Sequence, residues 1–143
     1  MLQRRICAVL LGALLFSYAA QAGKLAIVID DVGYRPAEEN KVLQMPQAIS
    51  VAVLPNAPHA HEMATKAHQS GHEVLIHLPG EPHGKQPREK GTVTPEMSGE
   101  EVTRIMRNAG DNVPYAGGLN NQRVSRKTSS RPGMQKVMQA LNH

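Results

Sequence analysis

Two adjacent aspartates, Asp30 and Asp31, directly follow an apolar run and precede Gly33. The run at residues 24–30 lacks polar alternation, which predicts a strand buried on both faces of a parallel sheet. Ligand sites in parallel α/β proteins lie at the carboxyl ends of the strands, where these acids would stand. We therefore expect catalysis or metal binding here. The alternative is a turn in which one aspartate caps the next helix.

His77 interrupts a second apolar strand, residues 73–78, where burial is expected. A lone buried histidine is more often a core residue than a ligand, but its place at the same sheet rim as the aspartates favours a ligand. The motif His61-Glu62 lacks the second histidine of a zinc-protease helix, since Thr65 stands there. We expect His68 and His72 to be solvated, because they straddle the helix stop at residue 71.

The chain alternates predicted strands and helices. Besides 24–30 and 73–78, strands are expected at 48–54 and 114–119, and helices at 36–43, 58–70, 98–109 and 132–141. Ser98 and Glu101 form a capping box, and Gly110 is expected to end that helix. Residues 81–95 form a long polar loop. This order predicts parallel strands with right-handed crossovers, which collect polar residues on one rim: Asp30, Asp31, Asn56, His59, His77, Asn120 and Asn121.

Residues 1–22 have the layout of a signal peptide, with Arg4 and Arg5 before an apolar stretch that ends in Ala20-Gln21-Ala22. The stretch is short for a membrane span, so we expect export to the periplasm or medium with no stable membrane anchor after cleavage, rather than an uncleaved anchor. Removing both arginines lowers the formal charge from +4 to +2. The remaining charges are scattered and give no support for nucleic-acid binding.

Removal of the signal peptide would also remove Cys7, the one cysteine, which excludes disulfides, cysteine zinc sites and cysteine nucleophiles from residues 23–143. Aromatic residues are scarce: after the signal peptide the chain has two, Tyr34 and Tyr115, and no Trp or Phe. We therefore expect an aliphatic core in one small domain, and few surfaces on which sugars could stack.

Four segments together resemble the divergent polysaccharide deacetylase family. They are Ala26-Ile-Val-Ile-Asp-Asp-Val-Gly33 with Leu54-Pro55, Gly71-His-Glu-Val-Leu-Ile-His-Leu-Pro-Gly-Glu-Pro82, Val113-Pro-Tyr-Ala-Gly-Gly-Leu-Asn-Asn121 and Gly133-Met-Gln-Lys-Val-Met-Gln-Ala-Leu141. The resemblance implies an α/β fold, a partial distorted β/α barrel of the NodB-like type with mostly parallel strands. It implies an exported, metal-dependent hydrolase that removes acetyl groups from an envelope polysaccharide or peptidoglycan.

Carried over by position, the resemblance assigns Asp30 as the general base, with Asp31 and His77 as ligands of a divalent metal, zinc by preference. It places Glu81, Asn120 and Asn121 among the substrate-binding positions. In the family, a further histidine follows the paired asparagines and completes the ligand set. This chain has Gln122 there.

A catalytic zinc normally has three protein ligands, so the loss of one predicts weak metal binding. Gln122 offers a poor carbonyl ligand, and His59 could substitute if its loop folded inward. The family domain also continues beyond the equivalent of residue 143, and residues 122–132 depart from its pattern. We therefore expect an incomplete, truncated domain with an exposed sheet edge. Three interpretations stay open: an impaired hydrolase, a non-catalytic periplasmic module that binds glycan or protein, and a fragment without function.

Overall fold

A parallel sheet with helices between its strands makes up the fold. The computed structural model describes residues 22–81, 87, 90–122 and 127–142. The elements in chain order are β1 (Ile27–Val32), α1 (Pro36–Val42), β2 (Ile49–Val53), α2 (Ala60–Gln69), β3 (Val74–Pro79), α3 (Gly99–Asn112), β4 (Ala116–Gln122) and α4 (Arg131–Leu141). Their spatial order is β1-β2-β3-β4, and each neighbouring pair is parallel. The prediction of an α/β fold with parallel strands is confirmed.

The sheet is open but strongly curved. β1 and β4 are its two edges, and a flat sheet would hold them about 14 Å apart, at three strand spacings. The side chain of Asn120 on β4 nevertheless donates a hydrogen bond to Asp30 on β1. The carboxyl ends of the outer strands therefore curl towards each other, so the sheet is part of a barrel wall and not a closed barrel.

The expectation that the first strand is buried on both faces is wrong. Ile27 and Val28 are 45% and 37% exposed, and Ile29 is half-buried. β1 pairs with β2 on one side and is an edge of the sheet. The apolar run identified the strand correctly, but its burial depends on what covers the edge, which the local pattern does not encode.

The core is aliphatic, as predicted, and lies between the central strands and the helices. β2 and β3 contribute Val51, Val53, Val74, Ile76 and Leu78, and the helices contribute Met63, Ala64, Ala67, Val102, Met106, Ala109 and Val137. Valine and isoleucine suit the pleated central strands, and the buried alanines of α2 face this core.

The predicted capping box of α3 is confirmed, with the side chains of Ser98 and Glu101 each accepting from the other residue's backbone N–H. The predicted stop at Gly110 is wrong, because α3 continues to Asn112. A glycine inside a helix costs about 1 kcal/mol. Burial of Ala109 and Val113 on either side offsets that cost.

The expectation that His72 is solvated is also wrong. α2 ends as predicted at Gly71, which has φ +84°, and the backbone N–H groups of Gly71 and His72 bond back to His68 and Ala67. This Schellman arrangement folds the residue after the glycine back onto the helix. His72 is 3% exposed, whereas His68 is exposed and stacks on the ring of Tyr115.

Two other predictions lie partly outside the described residues. The predicted signal peptide does so except for Ala22, and the long loop at 81–95 does so in part, at residues 82–86 and 88–89. Among the residues that are described, no helix combines the length and apolar character that crossing a membrane requires.

Candidate metal centre

An irregularity in β1 brings both aspartates to the same place. Between Ile29 and Val32, β1 advances one residue more than β2 does, which is a β-bulge, and Asp31 takes a left-handed φ of +59°. Regular strand geometry would point successive side chains to opposite faces, and a bulge re-aims them. Asp30 and Asp31 therefore both approach the same residue of β3.

That residue is His77, which is 3% exposed as predicted. Its Nε2 lies 3.3 Å from Oδ1 of Asp31, and its Nδ1 lies 3.9 Å from Oδ1 of Asp30. The aspartate side chains are 68% and 49% exposed respectively. The cluster is thus a buried imidazole at the base of two carboxylates that reach solvent.

The spacing of Asp31 Oδ1 and His77 Nε2 is that of two ligands of one metal ion. Two ligands of one tetrahedral zinc at about 2.0 to 2.2 Å from the ion lie about 3.4 Å apart, close to the separation of Asp31 Oδ1 and His77 Nε2. Nδ1 of His77 is buried and has no hydrogen-bond partner among the described residues. In a histidine that binds metal, the N–H of the other ring nitrogen usually donates a hydrogen bond, often to a carboxylate. Asp30 is the carboxylate on the Nδ1 side of His77.

Asn120 orients one of the aspartates. Its Nδ2 donates to Asp30 Oδ1 at 2.8 Å, and it sits opposite His77 in the register of β3 and β4. Strand alternation points Asn121 to the opposite face, and it is half-buried opposite Leu78. Glu81 is 5% exposed, with its backbone N–H bonded to Val93. The substrate-binding roles of these three residues stay predictions.

Two other rim residues have partners elsewhere. Asn56 Nδ2 donates to the carbonyl of Lys90, and the ring of His59 contacts Glu62 at 3.1 Å on its own helix. The described contact of the His59 ring is thus with Glu62 and not with Asp31. Within the described ranges, no three His, Cys, Asp or Glu side chains are grouped closely enough to hold a metal ion.

Sequence reasoning missed Glu39. Its carboxylate accepts hydrogen bonds from the backbone N–H groups of Gly33, Tyr34 and Arg35, which follow the two aspartates. The sequence signal that could have revealed Glu39 is the residue before Pro36 at the start of α1. It is an arginine, which cannot cap the helix, so the N–H groups nearby need an acceptor from an acid further along the chain.

A sequence profile described as divergent polysaccharide deacetylase matches residues 27–143. The chain belongs to the divergent polysaccharide deacetylase family. Over 120 residues, 84% of this chain, it is 70% identical to the Escherichia coli protein YibQ, of which it covers 38%. Over 129 residues, 90% of this chain, it is 38% identical to a protein of Haemophilus influenzae, of which it covers 46%. The chain thus spans less than half the length of either relative.

The fold has a solved counterpart in an uncharacterized protein from Agrobacterium tumefaciens. The TM-score is 0.73 at 17% identity, over 85% of this chain and 50% of the other. At that identity the likeness concerns the fold alone. With the family match, it fits the predicted partial NodB-like barrel.

Proposed function

We propose that this protein is an exported, metal-dependent hydrolase that removes acetyl groups from an envelope polysaccharide or peptidoglycan, with activity impaired by an incomplete ligand set. Family membership supports the reaction class. The observation that carries the proposal is the 3.3 Å approach of Asp31 Oδ1 to His77 Nε2 at the carboxyl end of the sheet, beside a second carboxylate.

In this proposal Asp31 and His77 hold a divalent ion, with zinc preferred by the imidazole donor. When bound, such an ion polarises the acetyl carbonyl and makes a water molecule more acidic. Asp30 is the general base. Its Oδ1 is occupied by the N–H of Asn120, which holds the carboxylate in place and leaves Oδ2 to take the proton of the water.

The impairment follows from the number of ligands. Catalytic zinc sites normally use three protein side chains and keep one position open. The described residues supply two at this place, and the chain has Gln122 where the family has a histidine. We expect weaker metal binding than in relatives that keep the histidine, and correspondingly slow deacetylation.

Zinc titration tests the metal site. The full chain is expressed with residues 1–22 in place and purified from the periplasmic fraction, which also tests export. Isothermal titration calorimetry then compares the wild type with Asp31→Asn and His77→Gln. Matched controls are Asp111→Asn and His61→Gln, which change the same residue types at exposed positions of α3 and α2.

Micromolar binding that both site variants abolish and both controls keep is the expected result. Release of acetate from chitooligosaccharide or peptidoglycan fragments, lost in Asp30→Asn with zinc still bound, would then support the reaction. Zinc binding that survives in the site variants would overturn the assignment.

A second candidate is a non-catalytic periplasmic module that binds glycan or protein. It is favoured by the same observation that limits the first, the absence of a three-donor group from the described residues. A folded protein that retains peptidoglycan fragments without zinc, and equally well in the Asp31→Asn variant, would support this alternative.

A further inference from the structure

One carboxylate secures the loop that follows the candidate metal ligand. Glu39 accepts from Gly33 N with both of its oxygens at 3.0 Å, and its Oε1 also accepts from Tyr34 N at 3.2 Å and Arg35 N at 3.0 Å. Hydrogen bonds to an ionised acceptor are stronger than neutral ones. Three consecutive N–H groups on one half-buried side chain therefore form a local clamp.

The opposite side of this loop is held by other elements. The carbonyl of Val32 accepts from Leu54 N, and the carbonyl of Gly33 accepts from His59 N, both at 2.9 Å. Gly33 has φ +129°, and a Cβ atom there would lie 2.6 Å from the Cβ of Ala57. One side of the loop thus packs against the segment that leads into α2. Glu39 accepts hydrogen bonds from the loop N–H groups that do not take part in this packing.

The clamp begins two residues after Asp31. Asp31 has a left-handed φ of +59°, which few residues other than glycine adopt and which aspartate tolerates better than most. A backbone in such a conformation persists when its surroundings enforce it. The Asp31 side chain is 68% exposed. On the loop side, the backbone of Asp31 is held through Val32 and the residues that follow it.

We propose that Glu39 is a positioning residue: it fixes the loop 33–35 so that Asp31 keeps the conformation that places its carboxylate beside His77 Nε2. This inference rests on the proposed function, since the position of Asp31 matters for metal binding only if Asp31 is a ligand. Glu39 touches neither His77 nor a substrate in this arrangement. It acts through the backbone of the loop, one step further from the ion than a group that is hydrogen-bonded to a metal ligand.

The neighbouring Glu38 provides a matched control. It is an acid in the same turn of α1, but its contact is a 3.4 Å ion pair with Arg35 in which both side chains are largely exposed. Removing Glu38 changes the charge as removing Glu39 does, without freeing the N–H groups of the loop.

The experiment compares Glu39→Ala, Glu39→Gln and Glu38→Ala with the wild-type full chain by zinc calorimetry and by amide hydrogen exchange. Loss of a residue that is hydrogen-bonded to a metal ligand typically weakens metal binding by about 10- to 100-fold, and a residue that acts through the backbone is expected at the lower end of that range. We expect that loss in Glu39→Ala, a smaller one in Glu39→Gln, which keeps one acceptor oxygen, and none in Glu38→Ala. The amides of Gly33, Tyr34 and Arg35 should exchange faster in Glu39→Ala.

Unchanged zinc affinity in folded Glu39→Ala, or in Glu39→Gln if the alanine variant does not fold, would overturn the inference even if thermal stability drops. If the wild type binds no zinc, the proposed function fails separately. The positioning role is then decided without metal, by the NMR shifts of Asp31: they should move in Glu39→Ala and not in Glu38→Ala, and an unmoved Asp31 would end the proposal.

Discussion

His72 precedes strand β3 and His77 lies within it, and each is 3% exposed, yet their surroundings differ in kind. His72 precedes the strand, where its Nδ1 lies 2.8 Å from the carbonyl of Ile49 and its Nε2 lies 3.1 Å from the carbonyl of Leu43. His77 lies near the carboxyl end of β3, with carboxylates at 3.3 and 3.9 Å and no hydrogen-bond partner at Nδ1 among the described residues.

The difference teaches that burial alone does not separate a structural histidine from a functional one. The partners of His72 are backbone groups of α1's end and β2, which it ties to the start of β3. The partners of His77 are carboxylate side chains that reach solvent, so a metal ion could bind between them and the imidazole. The type of partner, rather than the exposed fraction, distinguishes the two residues.

The largest effect is expected from replacing each histidine by alanine. His72→Ala would leave a cavity and remove the contacts of the ring with the carbonyls of Ile49 and Leu43, and should lower the free energy of unfolding by about 4 kcal/mol. His77→Ala also loses packing but removes a buried nitrogen that has no hydrogen-bond partner among the described residues, so we expect a smaller loss, of about 1 kcal/mol. Urea denaturation of both variants measures this.

Zinc binding should rank these two variants in the opposite order, with binding abolished in His77→Ala and retained by folded His72→Ala. Equal stability losses, or zinc binding lost in both variants at a temperature where both are folded, would remove the distinction between the two sites.

Lys127 extends the comparison to a buried charge. It is 1% exposed, its Nζ has no hydrogen-bond partner within the described ranges, and burial lowers the pKa of its amine from 10.5 to about 8. At pH 7 the folded chain therefore holds a buried ammonium group that makes no hydrogen bond to any described residue, whereas both ring nitrogens of His72 lie within hydrogen-bond distance of a carbonyl.

Lys127→Met should raise the free energy of unfolding at pH 7 by about 3 kcal/mol, from a pKa difference of about 2.5 at 1.36 kcal/mol per unit. Between pH 8 and 10.5 the unfolded wild type binds more protons than the folded one, so wild-type stability rises with pH. The advantage of Lys127→Met should be complete below pH 8 and disappear towards pH 10.5. A gain independent of pH, measured by denaturation at several pH values, would show that packing rather than charge is responsible.

The smallest effect is expected at His59, the rim histidine considered as a substitute ligand. Its contact is the half-exposed Glu62, which also pairs with Lys66. His59→Ala should change stability by at most about 0.5 kcal/mol. Zinc affinity should stay within about twofold of the wild type, the change that such an energy allows. A tenfold loss of zinc affinity would place His59 in the metal site and weaken the contrast drawn between His72 and His77.

Most of the fold could be predicted locally. The apolar runs gave the strands within a few residues, and Ser98 and Gly71 gave one helix start and one helix end. The errors occurred where distant contacts decide the outcome. Gly110 did not end α3, because burial of Ala109 and Val113 holds the chain on either side of it, and β1 is exposed because it lies at the sheet edge.

The candidate site was predictable in its members but not in its arrangement. Asp30, Asp31 and His77 stood out by residue type and by position at strand ends. Their distances depend on a bulge in β1 and on sheet curvature, neither of which has a local signal in this chain. The hydrogen bond from Asn120 to Asp30 joins residues 90 positions apart.

The sequence by itself determined the alternation of strands and helices, the aliphatic core and the family, because these follow from periodicity, capping residues and contiguous motifs. Tertiary structure alone decided which histidine is tied to backbone and which faces carboxylates, and how Glu39 holds the loop after Asp31. The physical reason is that hydrogen bonds and ion pairs between elements depend on strand order, register and curvature. Those properties arise when the whole sheet packs together.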